Sequence, residues 1–469
     1  MPDDRKRRAL HACQTCRSRK KGCDKTLPSC SYCKERTLEC SYEWKTHSFD
    51  NNNAILQNSS SPATGSMVDN GRLVKPTSVD EMMHLYVCDV QKSTGISVRD
   101  AISRYLGGPY TWLPMIPPSI LFIMGENGHR TSAASISILI LAIYLMITPL
   151  AQLSKGSGPE DSQYVYIKKL FGYVQALSCA STSLLQALLL ITTYEFASGK
   201  QESAFISIAA CVRMAQILDI DDAMSKGDPE QLSTKESESV RIWQGILVLE
   251  RHILSVLPPE FYHPMTKLPP ESAAMQSDLS TNFGENDKPS CPEDLSLQEH
   301  PVWLLDKVCS FRLSSADKMG KDQLVKARDI DVQIWQFLSA AIEDCGRDNA
   351  LSCGPIATAV RALFLLHMHI FATTQPDMLE RETYHGRSDS ALESAMRMFF
   401  DVSIDHVKHC EADRLPLCGR YNIDLVLSYL DHHARYSFGD NDIRYFKAAI
   451  LRLKAKVEER WNQPLNLVF

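Results

Sequence analysis

Apolar positions recur at helical spacing along most of the chain, from about Val79 onward, with few of the strict alternations that mark strands. The clearest unit is LLQALLLITTYEFASGKQESAFISIAACVRMAQILDI, residues 184–220. Two apolar helices there flank Ser198-Gly199-Lys200, and Gly199 suits the turn that follows a helix C-terminus. The second helix, Ala204–Leu218, has only Arg213 and Gln216 as long polar side chains and is predicted to be almost enclosed. An arginine on such a helix needs a partner, and Glu195 on the preceding helix is the candidate, in a structural role. ESVRIWQGILVLERHI at 238–253 predicts a third helix, broken by Pro258-Pro259. Near the C-terminus Phe446, Ile450, Leu453, Val457 and Trp461 form one stripe, read as a core face with partner docking as the alternative. Thr131–Ser154 carries no charge over 24 residues and contains ISILILAIYLMI. Its strictly apolar part is shorter than a bilayer requires and ends at Thr148-Pro149, so a buried core helix is predicted, with a membrane segment as the alternative.

The helical pattern does not reach the N-terminal sixth of the chain. From about Lys45 to Thr77 the chain is rich in Asn, Ser, Gly and Thr and reads as a flexible linker. Its apolar residues, such as Trp44, Ile55, Met67 and Val74, keep no heptad, so a coiled-coil dimerisation device is not predicted. Residues 271–300 are rich in Ser, Asp, Glu and Asn and read as an exposed loop.

Charge separates the two ends more sharply than the net value of −6 suggests. Residues 1–45 hold 12 Lys+Arg against 6 Asp+Glu, which leaves 38 against 50 for the rest. A small basic head on a large acidic body points to a polyanion-binding module joined to something that does not bind polyanions. No apolar stretch follows MPDDRKRR at residues 1–8, so no secretory leader is expected and the cysteines are expected in a reducing compartment.

Six of the fifteen cysteines crowd into CQTCRSRKKGCDKTLPSCSYCKERTLEC. Cys13, Cys16 and Cys23 recur 17 residues later as Cys30, Cys33 and Cys40, each triplet spaced C-x2-C-x6-C. Zinc takes four thiolates at tetrahedral angles. One zinc would leave two cysteines idle, whereas two zincs need two cysteines that bridge, and the repeat nominates the first of each triplet, Cys13 and Cys30. A disulfide knot and a one-zinc ribbon are the alternatives. The two six-residue spacers differ: RSRKKG carries Arg17, Arg19, Lys20 and Lys21 with no acid, while KERTLE is neutral. If residues 17–21 are helical, Arg17, Lys20 and Lys21 share a face. The first spacer is therefore the expected polyanion-facing half, a merely solvated charge run being the alternative.

These twin triplets resemble the fungal zinc binuclear cluster regulators. The resemblance implies two Zn2+ ions, one held by Cys13, Cys16, Cys23 and Cys30 and the other by Cys30, Cys33, Cys40 and Cys13, with Pro28 at the turn between the halves. It further implies base contacts from Arg19 and Lys20 to a CGG-type triplet of double-stranded DNA, with Arg17 and Lys21 on phosphates. Gly22 departs from the family at a position that is often basic, which removes one backbone contact. Arg5, Lys6, Arg7 and Arg8 form a separate block, read as a nuclear-import signal or a phosphate-contacting arm.

The body carries a second resemblance. YEFASGK, AACVRMAQILDI and VRIWQGILVLERH, preceded by ISRYLGGPYTWLPMIPPSILF, are similar to the family's regulatory domain, or middle homology region. Arg241, Trp243 and Arg251 fit its pattern, and Gln244 departs from it. The expected fold is a small zinc-organised N-terminal DNA-binding module plus a large all-α regulatory domain. Its expected segments are the zinc cluster at 1–45, the linker at 46–78, the helical middle homology region at 79–270, the exposed loop at 271–300, and the C-terminal helical part of the regulatory domain at 301–469.

Catalytic constellations are weak. His367 and His369 are two apart and face opposite sides of a helix; His406, His409 and Cys410 could share a face; no phosphate loop, G-x-G-x-x-G or G-x-S-x-G occurs. No enzyme is predicted. The expected function is a nuclear, sequence-specific DNA-binding regulator, a pathway-specific RNA polymerase II activator of the kind that governs secondary-metabolite gene clusters, working with the transcription machinery and not at a membrane. A homodimer is left open, and a ligand-sensing or membrane-tethered regulator, a repressor, or an enzyme carrying a zinc module are the alternatives.

Overall fold

The chain divides into two units, Met1–Lys75 and Pro76–Phe469. The computed structural model describes most of residues 13–40 (not 14, 17, 18, 20, 27, 28 or 39), then 68–69, 72–73, 78–126, 132–147, 163–221, 234–268, 296–315, 320–345, 353–374, 381–409, 419–433 and 438–461. The first unit contains helix α1 (Ser31–Glu35) and a two-residue antiparallel pair, β1 (Val68–Asp69) with β2 (Arg72–Leu73). Val68 pairs with Leu73 and Asp69 with Arg72. That pair falls within the stretch read as linker, whose other residues lie outside the described ones.

The second unit is helical. Its elements are α2 (Val79–Thr94), α3 (Val98–Gly107), α4 (Pro118–Glu126), α5 (Ala134–Ile147), α6 (Gln163–Leu177), α7 (Thr182–Ala197), α8 (Gln201–Ile217) and α9 (Thr234–Ser255). They are followed by α10 (Ser296–Ser314), α11 (Lys321–Cys345), α12 (Cys353–Thr373), α13 (Arg381–His409), α14 (Gly419–His432) and α15 (Asp440–Trp461). Local chemistry sets several boundaries. Ser78 accepts from the Glu81 amide at 3.1 Å, Ser97 from Asp100 at 3.1 Å and Ser181 from Leu184 at 3.3 Å, each satisfying an otherwise orphaned first-turn donor. Helix α2 stops at Gly95, whose φ is +67°. Helix α7 stops in a full Schellman turn: Gly199 (φ +80°) donates to Phe196 O at 3.1 Å and Lys200 to Glu195 O at 2.8 Å.

Helices α5 and α7 are buried on all sides and pack on each other. The uncharged stretch is thus a core helix, 14 residues or about 21 Å long, against the roughly 30 Å of a bilayer's hydrocarbon. Helix α12 passes the membrane test by length and composition, yet it too packs inside the protein, against α10. Its Arg361 donates to Ser255 Oγ (2.8 Å) and Ser255 O (3.0 Å), closing the C-terminus of α9. The stripe on α15 is buried throughout, from Phe446 to Trp461. Trp461 packs against Trp112 and Tyr194, and Arg460 donates to Met146 O, so the last helix closes over the first ones and one core runs from Met83 to Trp461.

Three expectations change. Glu195 is fully buried, but its partners are Lys168 Nζ at 2.5 Å and the Tyr164 hydroxyl at 2.7 Å, both from α6. Arg213 points to solvent and bonds Gln216 at 2.9 Å. Helix α8 is accordingly not enclosed. Ile206 and Ile217, 70% and 71% exposed, share its outer face with Arg213, so an apolar residue there does not report burial. The expected loop 271–300 is helical from Ser296, where Glu299 accepts from Gln244 at 2.8 Å and His300 packs on Phe337; its earlier residues lie outside the described ones. Arg251, in contrast, is a buried cation with its bonds made, to Asp306 (2.6 Å), Glu250 (2.6 Å) and Thr266 (2.9 Å).

His367 bonds Asp331 and Ser388, each at 3.0 Å, while His369 bonds Ser315 at 2.8 Å, as side chains on opposite sides of α12 must. His406 is buried and His409 exposed; Cys410 lies outside the described residues.

Candidate metal centre

Little apolar surface holds the head together. Cys13, Cys16, Cys30 and Cys33 are fully buried, with Tyr32 and Leu38 partly buried against them. Such a core is far too small to fold a chain unaided. The sulfurs cluster instead on one another. Cys13 Sγ lies 3.7 Å from Cys30 Sγ and 3.6 Å from Cys33 Sγ, and Cys16 Sγ lies 3.6 Å from Cys30 Sγ and 3.9 Å from Cys33 Sγ. A disulfide requires about 2.0 Å. Four thiolates about 2.3 Å from a tetrahedral zinc stand about 3.8 Å apart. The spacing matches the metal and not the disulfide knot.

Two four-sulfur groups have ligand atoms within 4.8 Å of one another: Cys13, Cys16, Cys23 and Cys30, and Cys13, Cys30, Cys33 and Cys40. Cys13 and Cys30 belong to both, so all six thiols are used and two metals are accommodated. The backbone repeats the symmetry of the sequence. The Cys13 amide points to Cys23 Sγ (3.4 Å) as the Cys30 amide does to Cys40 Sγ (3.3 Å). The Cys16 amide points to Cys13 Sγ and the Cys33 amide to Cys30 Sγ, both at 3.4 Å. Lys21 N donates to Cys16 O and Leu38 N to Cys33 O, both at 2.9 Å. Amides aimed at sulfur favour the thiolate, the form that binds metal. Burial works the other way, raising Cys13 and Cys16 and pushing Cys33 up to about 12. Divalent cations held by these thiolates would reverse that balance, coupling metal binding to folding. Zinc supplies cross-linking charge here and no redox chemistry.

One side chain that positions this frame was not foreseen from the sequence. Asp24 accepts from Ser31 Oγ (2.6 Å), Thr26 Oγ1 (2.8 Å) and the Ser31 amide (3.1 Å), joining the residue after Cys23 to the residue after Cys30. Hydrogen bonds from Ser31 and then Thr26 hold its carboxyl down at about 2. The legible half of the signal was Asp24-Lys25-Thr26, an Asp bonding two residues on; the reach to Ser31 is set by the fold.

The basic spacer leaves Arg19 and Lys21 exposed, with the Arg19 amide bonded to Thr15 O at 3.2 Å in a helical turn. Arg17, Lys20, Pro28 and the block Arg5, Lys6, Arg7 and Arg8 lie outside the described residues. In the second spacer the Arg36 guanidinium sits 4.3 Å over the Tyr32 ring, folded onto its own module. The two halves therefore share a metal-binding frame and differ in what they present.

Comparison of the whole chain with curated proteins returned no match. Residues 11–48 match the family model of the fungal Zn(2)-Cys(6) binuclear cluster domain, a domain of transcription factors rather than of enzymes. The chain thus carries, at its N-terminus, the two-zinc DNA-binding module of a fungal transcription regulator.

Proposed function

We propose that the protein is a nuclear, pathway-specific activator of RNA polymerase II transcription, of the kind that governs secondary-metabolite gene clusters, and that its helical body is the regulatory domain. The observation that carries the DNA-reading part is the asymmetry between the spacers: equivalent metal-anchored segments, one presenting Arg19 and Lys21 to solvent and the other neutral. A basic segment held at both ends loses little conformational freedom on docking, so its charge converts to affinity more fully than in a mobile tail. Arg19 and Lys20 read guanine O6 and N7 of CGG-type half-sites. Arg17 and Lys21 contact phosphate, and Arg5, Lys6, Arg7 and Arg8 add a phosphate-contacting arm or the import signal.

Fluorescence anisotropy of the zinc-loaded chain on a CGG duplex and a scrambled duplex tests the assignment. With about six phosphates neutralised, log affinity should fall against log salt with a slope of about −5. Lys20→Ala should flatten the preference for CGG, while Lys21→Ala should weaken both duplexes alike. Equal losses on both duplexes from both changes would sink this division of roles. Genome-wide occupancy mapping, with transcript levels in a deletion strain, decides activation and pathway: bound promoters that rise in the deletion strain would make the protein a repressor.

A further inference from the structure

The C-terminal helices leave space that side chains do not fill. Between α11, α12, α13, α14 and α15 lies a cavity of about 710 Å³. Well-packed interiors keep few voids larger than a water molecule, and small-molecule sites occupy roughly 300–1,000 Å³. Trp335, Val360, Met398, Phe399, Ile423 and Leu453 give it an apolar wall contributed by all five helices.

One polar group inside is half satisfied. Asn422, 1% exposed, donates through Nδ2 to Ala357 O at 2.8 Å, while its Oδ1 is buried with no hydrogen-bond partner. A buried acceptor left this way is unfavourable, and a donor brought in by a guest relieves it. Among the described lining residues the charged groups are two carboxylates, Asp401 and Asp405, both exposed at the rim; no lysine or arginine lines the space. Among these described residues an anion would meet like charge on entry and no cation within.

We propose that this cavity binds a small, largely apolar molecule that carries a hydroxyl or amine donor and no acidic group, with Asn422 Oδ1 accepting from the donor. The site is separate from DNA reading and gives the body a ligand of its own.

Two dyes with one skeleton test this on the full-length, zinc-loaded chain. N-phenyl-1-naphthylamine is apolar with a single N–H donor; 8-anilino-1-naphthalenesulfonate adds an acidic group. The amine should bind saturably with one molecule per chain, and the sulfonate at least tenfold more weakly. Ala357→Trp, which fills the cavity, and Val402→Trp, at the exposed rim, should each weaken the amine at least tenfold. Asn422→Leu should weaken it about fivefold. Circular dichroism checks that each variant folds, and if Ala357→Trp does not, the rim variant decides. Absence of saturable uptake, equal binding of the two dyes, or amine binding unchanged in Val402→Trp would overturn the proposal, the last by placing the dye on exposed apolar surface such as Ile206 and Ile217.

Discussion

Replacing Gly199 by alanine perturbs a turn on which two distant parts of the body meet. The residue ends α7 at φ +80°, a conformation that costs an L-residue about 1–2 kcal/mol. The space is also taken: a Cβ there would stand 2.7 Å from Arg420 Nη2 and 2.8 Å from its Cζ. Arg420, on α14, is 4% exposed and donates through Nη1 to Ala197 O at 3.2 Å. Its neighbour Tyr421 donates to Phe196 O at 2.7 Å and stacks on the Phe196 ring. Displacing the guanidinium breaks a charge-assisted hydrogen bond, worth about 1.5–3 kcal/mol. The total loss should be about 2.5–5 kcal/mol. Gly95 supplies the control, because its φ is +67° and nothing lies within 4 Å of its would-be Cβ; Gly95→Ala should cost only the backbone part, about 1–2 kcal/mol. Urea unfolding followed by far-UV circular dichroism, at constant zinc, measures both. The double variant Gly199→Ala/Arg420→Met should be less destabilised than the sum of its parts. Equal midpoint shifts for the two glycine variants would refute the reasoning, since the Arg420 contact would then contribute nothing.

The metal centre gives a stoichiometric prediction. Cys30 belongs to both sulfur groups and Cys23 to one, so native mass spectrometry should find Cys30→Ala losing both zincs and Cys23→Ala keeping one; equal zinc contents would count against the shared ligands. Chelation should abolish DNA binding while leaving the unfolding transition of the helical body in place, because the two units fold around different cores. Acid should weaken the body through two histidines. Burial and then Arg361 push His252 down to about 3, and burial and then Arg312 push His369 down to about 4. Unfolded, both titrate near 6.5, so the unfolded chain takes up protons first and stability is lost as pH falls from about 6.5 toward 4, by about 1.4 kcal/mol per unit per histidine at most. Unfolding midpoints of wild type and the His252→Gln/His369→Gln variant at pH 7 and pH 5 read this directly, and a wild-type profile as flat as the variant's would remove the basis for it.

How far a residue could be read from the sequence depended on the distance over which its role is set. The metal ligands were legible because C-x2-C spacing confines two sulfurs to one edge of a metal through a few covalent bonds, and the 17-residue repeat doubles the constraint. Gly199 and the buried stripe on α15 were legible for the same reason: each is set within one or two helical turns. Glu195 shows the limit. The apolar pattern around Arg213 nominated Glu195 as its partner, but Arg213 is exposed and Glu195 pairs with Lys168, because the phase of α8 and the approach of α6 are encoded by no local pattern.

By itself, then, the amino-acid order determined the two-zinc frame, the basic character of one half of the head and the helical character of the body, all properties of near neighbours in the chain. Only the tertiary structure decided that Asp24 braces the two halves of the head, that the outer face of α8 carries exposed apolar residues, that Arg420 closes over Gly199, and that five helices line an open cavity beside Asn422. The Asp24 brace depends on how the two cysteine triplets fold onto each other, and the other three depend on where side chains remote in sequence come to rest, which close packing fixes only when the helices of the body are in place.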